Sequence, residues 1–90
     1  GILIINGKAD PGSLPDRVHA IQITDIAHDQ VRRPITANIV SLGVILGMTG
    51  MVSQEAALEA MKPRIPAKAL EVNKKAFALG IEAGKAALKR

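Results

Sequence analysis

Ninety residues, 48% hydrophobic but with Phe77 as the one Phe, Trp or Tyr, allow a single small domain whose core must be aliphatic. The lack of cysteine excludes disulfides, a thiolate nucleophile and any Cys-ligated metal or iron–sulfur cluster within this chain. The net charge of +4 comes entirely from residues 55–90, where eight basic side chains face four acidic ones; with no interleaved aromatics and no Gly-rich RNA-binding motif, it reads as a solvated helix face and not as a nucleic-acid surface.

In chain order, Ile2-Leu3-Ile4-Ile5 lies between Gly1 and Asn6-Gly7. Consecutive large aliphatics bounded by turn residues predict a strand buried on both faces, as in a parallel sheet. The run is too short for a secretory signal core and has no basic leader, and the absence of cysteine fits the reducing, cytoplasmic setting expected. Residues 7–17, rich in Gly, Pro, Asp and Ser, predict a loop, in which Ser13 has no activating partner. Residues 18–23 predict a second strand, with His19, Ile21 and Ile23 on one face and His19 hydrogen-bonded and partly buried. Thr24 or Asp25 is placed to cap a short helix that runs to Val31 and is broken at Arg32-Arg33-Pro34. Asp25 and Asp29 are i, i+4 neighbours with His28 to one side; an exposed capping turn, not a metal site, is expected there.

From Pro34 to Gln54, twenty-one residues carry no charge. That length is enough for a membrane span, and Gly43-x-x-x-Gly47 is a helix-pairing pattern. Thr36, Asn38, Ser41 and Thr49 within so short a run argue against lipid, which penalises polar groups. The predicted element is a helix from Ile35 to Met48 of a domain with no membrane partner, stopped by Gly50. It should be buried on two sides, with Thr36, Val40, Gly43 and Gly47 on one side and Asn38, Ser41, Ile45 and Met48 opposite. Ser53 then caps a helix with Glu55 in its first turn, ended near Lys62 by Pro63. Pro66 opens the last helix, to about Lys89, with Leu70, Asn73, Phe77, Ile81, Gly84 and Leu88 on one stripe and Gly80 at its margin. Two strands do not make a stable sheet alone, so residues 1–90 read as a single partial domain.

Three segments in order carry a family resemblance: Asn38-x-x-x-Leu42-Gly43, Thr49-Gly50-Met51-Val52-Ser53 and Asn73-x-x-Ala76-Phe77-x-x-Gly80. With Gly1-Ile2-Leu3-Ile4-Ile5-Asn6 and Thr24-Asp25-Ile26-Ala27, the chain resembles the C-terminal half of the gamma subunit of 2-oxoacid:ferredoxin oxidoreductases, also called the pyruvate/ketoisovalerate oxidoreductase catalytic domain. It departs from that pattern at Ile39, where the family commonly has Met, and at Asp29 and Gln30, where the short helix often ends in Gly. The family's first half, with a glycine-rich strand-to-helix turn, has no counterpart in these residues. The resemblance implies an α/β fold, the C-terminal half of a Rossmann-like three-layer α/β/α domain with two strands followed by about four helices. It also implies membership of an enzyme that converts a 2-oxoacid and coenzyme A to acyl-CoA, carbon dioxide and reduced ferredoxin.

In such a complex thiamine diphosphate, Mg2+, [4Fe–4S] clusters and coenzyme A belong to other subunits. The expected partners are those subunits, the missing N-terminal half of the domain and, through the complex, ferredoxin. No nucleophile–base pair is visible, so no catalytic residue and no metal ligand is expected here, and the chain alone should be inactive. Arg32 and Arg33 are the candidates for contact with a phosphate-bearing cofactor such as coenzyme A, with a solvated loop or an intersubunit salt bridge as the alternative. Asn38 is the polar contact point on the uncharged helix, a candidate on the coenzyme A side or at an interface. The competing function is a stand-alone helical interaction module or membrane-associated adaptor built on the two GxxxG helices.

Overall fold

The computed structural model describes residues 2–15, 17–33 and 36–89. Strand β1 (Leu3–Asn6) pairs in parallel with β2 (Val18–Ile21), with Leu3 opposite Val18 and Asn6 opposite Ile21. The connection is irregular apart from one 3-10 turn at Pro11–Ser13, where the Ser13 hydroxyl donates to the Asp10 carbonyl at 2.7 Å and so serves the turn. The second strand ends two residues earlier than its apolar pattern predicts, and Ile23 is instead the first residue of helix α1 (Ile23–Asp25). Neither Thr24 nor Asp25 caps it; Gln22 occupies the cap position without a side-chain bond. Thr24 is held from outside: its hydroxyl accepts from Asn6 Nδ2 at 2.8 Å, and its N–H donates to Asn6 Oδ1 at 3.2 Å. The amide at the end of β1 thus fixes the start of α1.

The chain continues from α1 as a π-helix at Ile26–Val31, wider than an α-helix, closing on Arg32 in the left-handed region at φ 63°. The anticipated breaker Pro34 and helix start Ile35 lie outside the described residues, as do Gly1, Asp16 and Arg90. Helix α2 (Ala37–Thr49) stops at Gly50, whose φ of 63° allows its N–H to reach the Leu46 carbonyl at 2.9 Å. Helix α3 (Gln54–Met61) is capped as anticipated, Ser53 Oγ accepting from Ala56 N at 3.1 Å. Two 3-10 turns, Lys62–Arg64 and Ala67–Ala69, lead into α4 (Leu70–Leu88).

Helices α2 and α4 form the centre of the molecule, with Val40, Val44 and Phe77 completely buried between elements. Their contact depends on absent side chains. A Cβ at Gly43 would strike the Phe77 carbonyl, one at Gly80 the Val40 carbonyl, one at Gly47 the Ile81 carbonyl, and one at Gly84 the Val44 carbonyl. Both GxxxG pairs therefore face each other across one interface. His19 and Ile21 of β2, with Ile23, Ile26, Ala27 and Val31, complete the buried set on the helix side of the sheet.

Two expectations about α2 are corrected. The helix is buried on one side, not two: Leu42 and Ile45 remain exposed, and Asn38 is exposed beside them. Met48, expected opposite the glycine strip, is buried because its side chain turns in against Gly84. In α4 the stripe is shorter than expected, since Leu88 at the end of the helix is exposed. At thirteen residues, α2 spans about 20 Å, short of a bilayer's apolar core of about 30 Å. Among the described residues no helix is long and apolar enough to cross a membrane.

Candidate functional site

The N-terminal turns of α2 and α4 lie side by side, and the C-terminal end of α3 with the following 3-10 turns borders them. Between these elements runs an open groove of about 990 Å³. Ile39 and Leu42 from α2 and Val72 from α4 line it, and Arg33, Arg64 and Lys68, all exposed, line it from three separate segments. No carboxylate lines it, and among the described residues none of these three cations has an ion pair.

Of the residues singled out from sequence, Arg33 and Asn38 line this groove and Arg32 does not. Arg33 Nη1 donates to the Arg32 carbonyl at 3.0 Å, and the Arg33 carbonyl accepts the Thr36 hydroxyl at 2.7 Å. Asn38 Oδ1 accepts from the N–H of Ile39 at 2.9 Å, one of the first-turn donors that a helix leaves unpaired. Asn73 joins the same groove from α4 and donates through Nδ2 to the Ala69 carbonyl at 2.9 Å, so it secures the backbone at the start of its own helix. Arg64 and Lys68 were not recognisable as site residues from sequence; they belong to the basic excess of the C-terminal third, and only the path of the two 3-10 turns between α3 and α4 brings them to the same groove as Arg33.

A second cavity, about 580 Å³, opens beside β2 and is lined by His19, Asp25, Asp29 and alanines of α4. His19 is 6% exposed, and its Nδ1 has no hydrogen-bond partner, contrary to the bonded histidine expected. On this side of the sheet α4 contributes only Ala83, Ala86 and Ala87 to the cavity, and the polar side chains that line it, Gln22, Asp25, Asp29 and Gln30, make no hydrogen bond to His19 Nδ1. His28 Nδ1 donates to Asp29 Oδ1 at 2.7 Å on the exposed face of the π-helix. Among the described residues no group of three or more His, Cys, Asp or Glu side chains is placed to hold a metal ion.

The family model for pyruvate ferredoxin/flavodoxin oxidoreductase matches residues 1–83. The chain belongs to this family. It is 34% identical over 82 residues to the pyruvate synthase subunit PorC of Methanothermobacter thermautotrophicus, covering 91% of this chain and 45% of that protein. It is 37% identical over 68 residues to the 2-oxoglutarate synthase subunit KorC of Methanocaldococcus jannaschii, covering 76% of this chain and 36% of that protein. The crystal structure of a keto/oxoacid ferredoxin oxidoreductase gamma subunit from Geobacter sulfurreducens superposes with a TM-score of 0.74 at 42% identity, over 84% of this chain and 45% of that one. The family member described here thus spans less than half the length of these relatives.

Proposed function

We propose that this chain is the C-terminal half of a gamma-subunit domain in a 2-oxoacid:ferredoxin oxidoreductase, with an assembly role and no catalytic residue of its own. The observation that carries this reading is the family match over residues 1–83, supported by the similarity to a gamma subunit at 42% identity. In the proposed complex a 2-oxoacid is oxidatively decarboxylated with coenzyme A, and the electrons leave to ferredoxin. Thiamine diphosphate, Mg2+ and [4Fe–4S] clusters would supply the decarboxylation and electron-transfer chemistry. These ninety residues contain no cysteine and so offer the clusters no thiolate; in the proposed cytoplasmic assembly the clusters are held elsewhere.

For Arg33 and Asn38, of the two roles considered, contact at a subunit interface has the better support, because they border an open groove with an apolar floor. Arg32 lines no part of that groove, and its N–H closes the π-helix on the Ala27 carbonyl. The stand-alone GxxxG module has no comparable support: Gly43, Gly47, Gly80 and Gly84 are all engaged within the chain.

Co-expression of the full-length protein with the remaining oxidoreductase subunits tests the assembly reading. The expected result is a stoichiometric complex with iron–sulfur absorbance. A stable, colourless monomer that never joins those subunits overturns it.

A further inference from the structure

We propose that the groove between the start of α2, the end of α3 and the start of α4 is a docking site for an acidic, amphipathic segment of a partner subunit. This deepens the assembly reading and rests on it.

Thr36, Asn38 and Asn73 each engage one backbone group, at 2.7, 2.9 and 2.9 Å, and Arg33 holds the Arg32 carbonyl through Nη1 at 3.0 Å while its remaining guanidinium N–H groups stay available. Ile39, Leu42 and Val72 provide an apolar floor, and Arg33, Arg64 and Lys68 stand exposed around it on long, adaptable stems. An apolar centre within a charged rim is the pattern of a protein interface.

The sign of the rim is unmixed. The acidic side chains of α3 and α4 nearest in sequence already have cations of their own: Glu59 pairs with Lys62 at 2.7 Å, and Glu71 with Lys74 at 3.8 Å. The Lys62 hydrogen bond, followed by the Lys62 charge, lowers the pKa of the exposed Glu59 carboxyl from its ordinary value. Arg33, Arg64 and Lys68 have no such counterpart among the described residues, and a segment carrying Asp or Glu beside apolar anchors complements them. A nucleotide-bearing cofactor fits less well: the chain's one Phe, Trp or Tyr, Phe77, is 0% exposed, leaving no ring of that kind on which a base could stack.

The test uses the full-length protein co-expressed with its oxidoreductase subunits. Reversing all three rim charges (R33E/R64E/K68E) should weaken association by roughly tenfold or more, with a matching loss of its salt sensitivity. The exposed pair Lys85→Glu and Lys89→Glu, which lines no part of the groove, should leave association unchanged. Leu42→Asp should also weaken it, through the floor. Circular dichroism and the thermal midpoint of each variant identify folding defects, and R64Q/K68Q provides a milder pair if the triple variant is destabilised.

Wild-type association by the rim-reversed or neutralised protein overturns the docking site. So does an intact complex that loses only coenzyme A binding in calorimetric titration, because the cations would then serve the cofactor. A wild-type protein that joins no oxidoreductase subunit fails at the earlier step and overturns the assembly reading itself.

Discussion

At Arg32 the backbone adopts φ 63°, the one non-glycine position in the described chain with a positive φ. An L-residue there costs on the order of 1 kcal/mol against glycine, because its Cβ crowds the neighbouring carbonyls. The turn requires this conformation: the Arg32 N–H bonds to the Ala27 carbonyl to close the π-helix, and the Arg33 N–H reaches the same carbonyl at 2.9 Å. Arg32 is exposed and lies outside the groove, so its side chain does not offset the strain there. Arg32→Gly should therefore raise stability by about 1 kcal/mol in denaturant unfolding while subunit association stays at the wild-type value. Weaker association at unchanged stability would return Arg32 to the interface.

Residue-level features were legible where they are local. Ser53 as a cap and Gly50 as a stop depend on neighbours within four residues. The Asn6–Thr24 link joins residues eighteen apart, and the burial of His19 Nδ1 without a partner is a property of the assembled fold, so neither could be read from a window of sequence.

Between elements, the decisive contact is glycine on glycine. Gly43→Ala or Gly80→Ala would gain up to about 1 kcal/mol of helix propensity. Each new Cβ would meet carbonyl oxygen on the other helix, where no flexible side-chain end can yield, and overpacking of this kind costs about 1–3 kcal/mol. Displaced backbone also loosens Val40, Val44 and Phe77, which are fully buried beside it. The expected balance is a net loss of about 2 kcal/mol for either substitution, read as a lower denaturant midpoint. Gly7→Ala, where a Cβ has nothing within 4 Å, is the control and should be close to neutral. If Gly43→Ala is equally neutral, the α2–α4 approach is looser than described. Helical spacing alone put the glycines on a strip, but a strip does not name its partner. It was equally compatible with a second subunit, and only the fold shows that α4 occupies it.

At the scale of the whole molecule, the chain forms a slab of 42 × 27 × 16 Å with helices against one side of its sheet. Alternation along paired strands puts Ile4, His19 and Ile21 on the helix side, and His19 and Ile21 are buried there. The register gives the other side to Leu3, Ile5, Val18 and Ala20, an entirely apolar set in which Leu3 is 57% and Ile5 41% exposed. A parallel sheet is ordinarily covered on both faces, because its strands are joined by helices that pack on each side. The proposed half-domain therefore predicts that the remainder of a subunit of the relatives' length lies against this face. Leu3→Ser and Ile5→Ser in the full-length protein should each cost about 2–4 kcal/mol, as truncations of core aliphatics do. Were the face to stay in water, each would fall within about 0.5 kcal/mol of the parent. Denaturant unfolding of the full-length variants separates the two outcomes, and near-neutral changes at both positions would remove the physical basis for a three-layer domain built on this sheet.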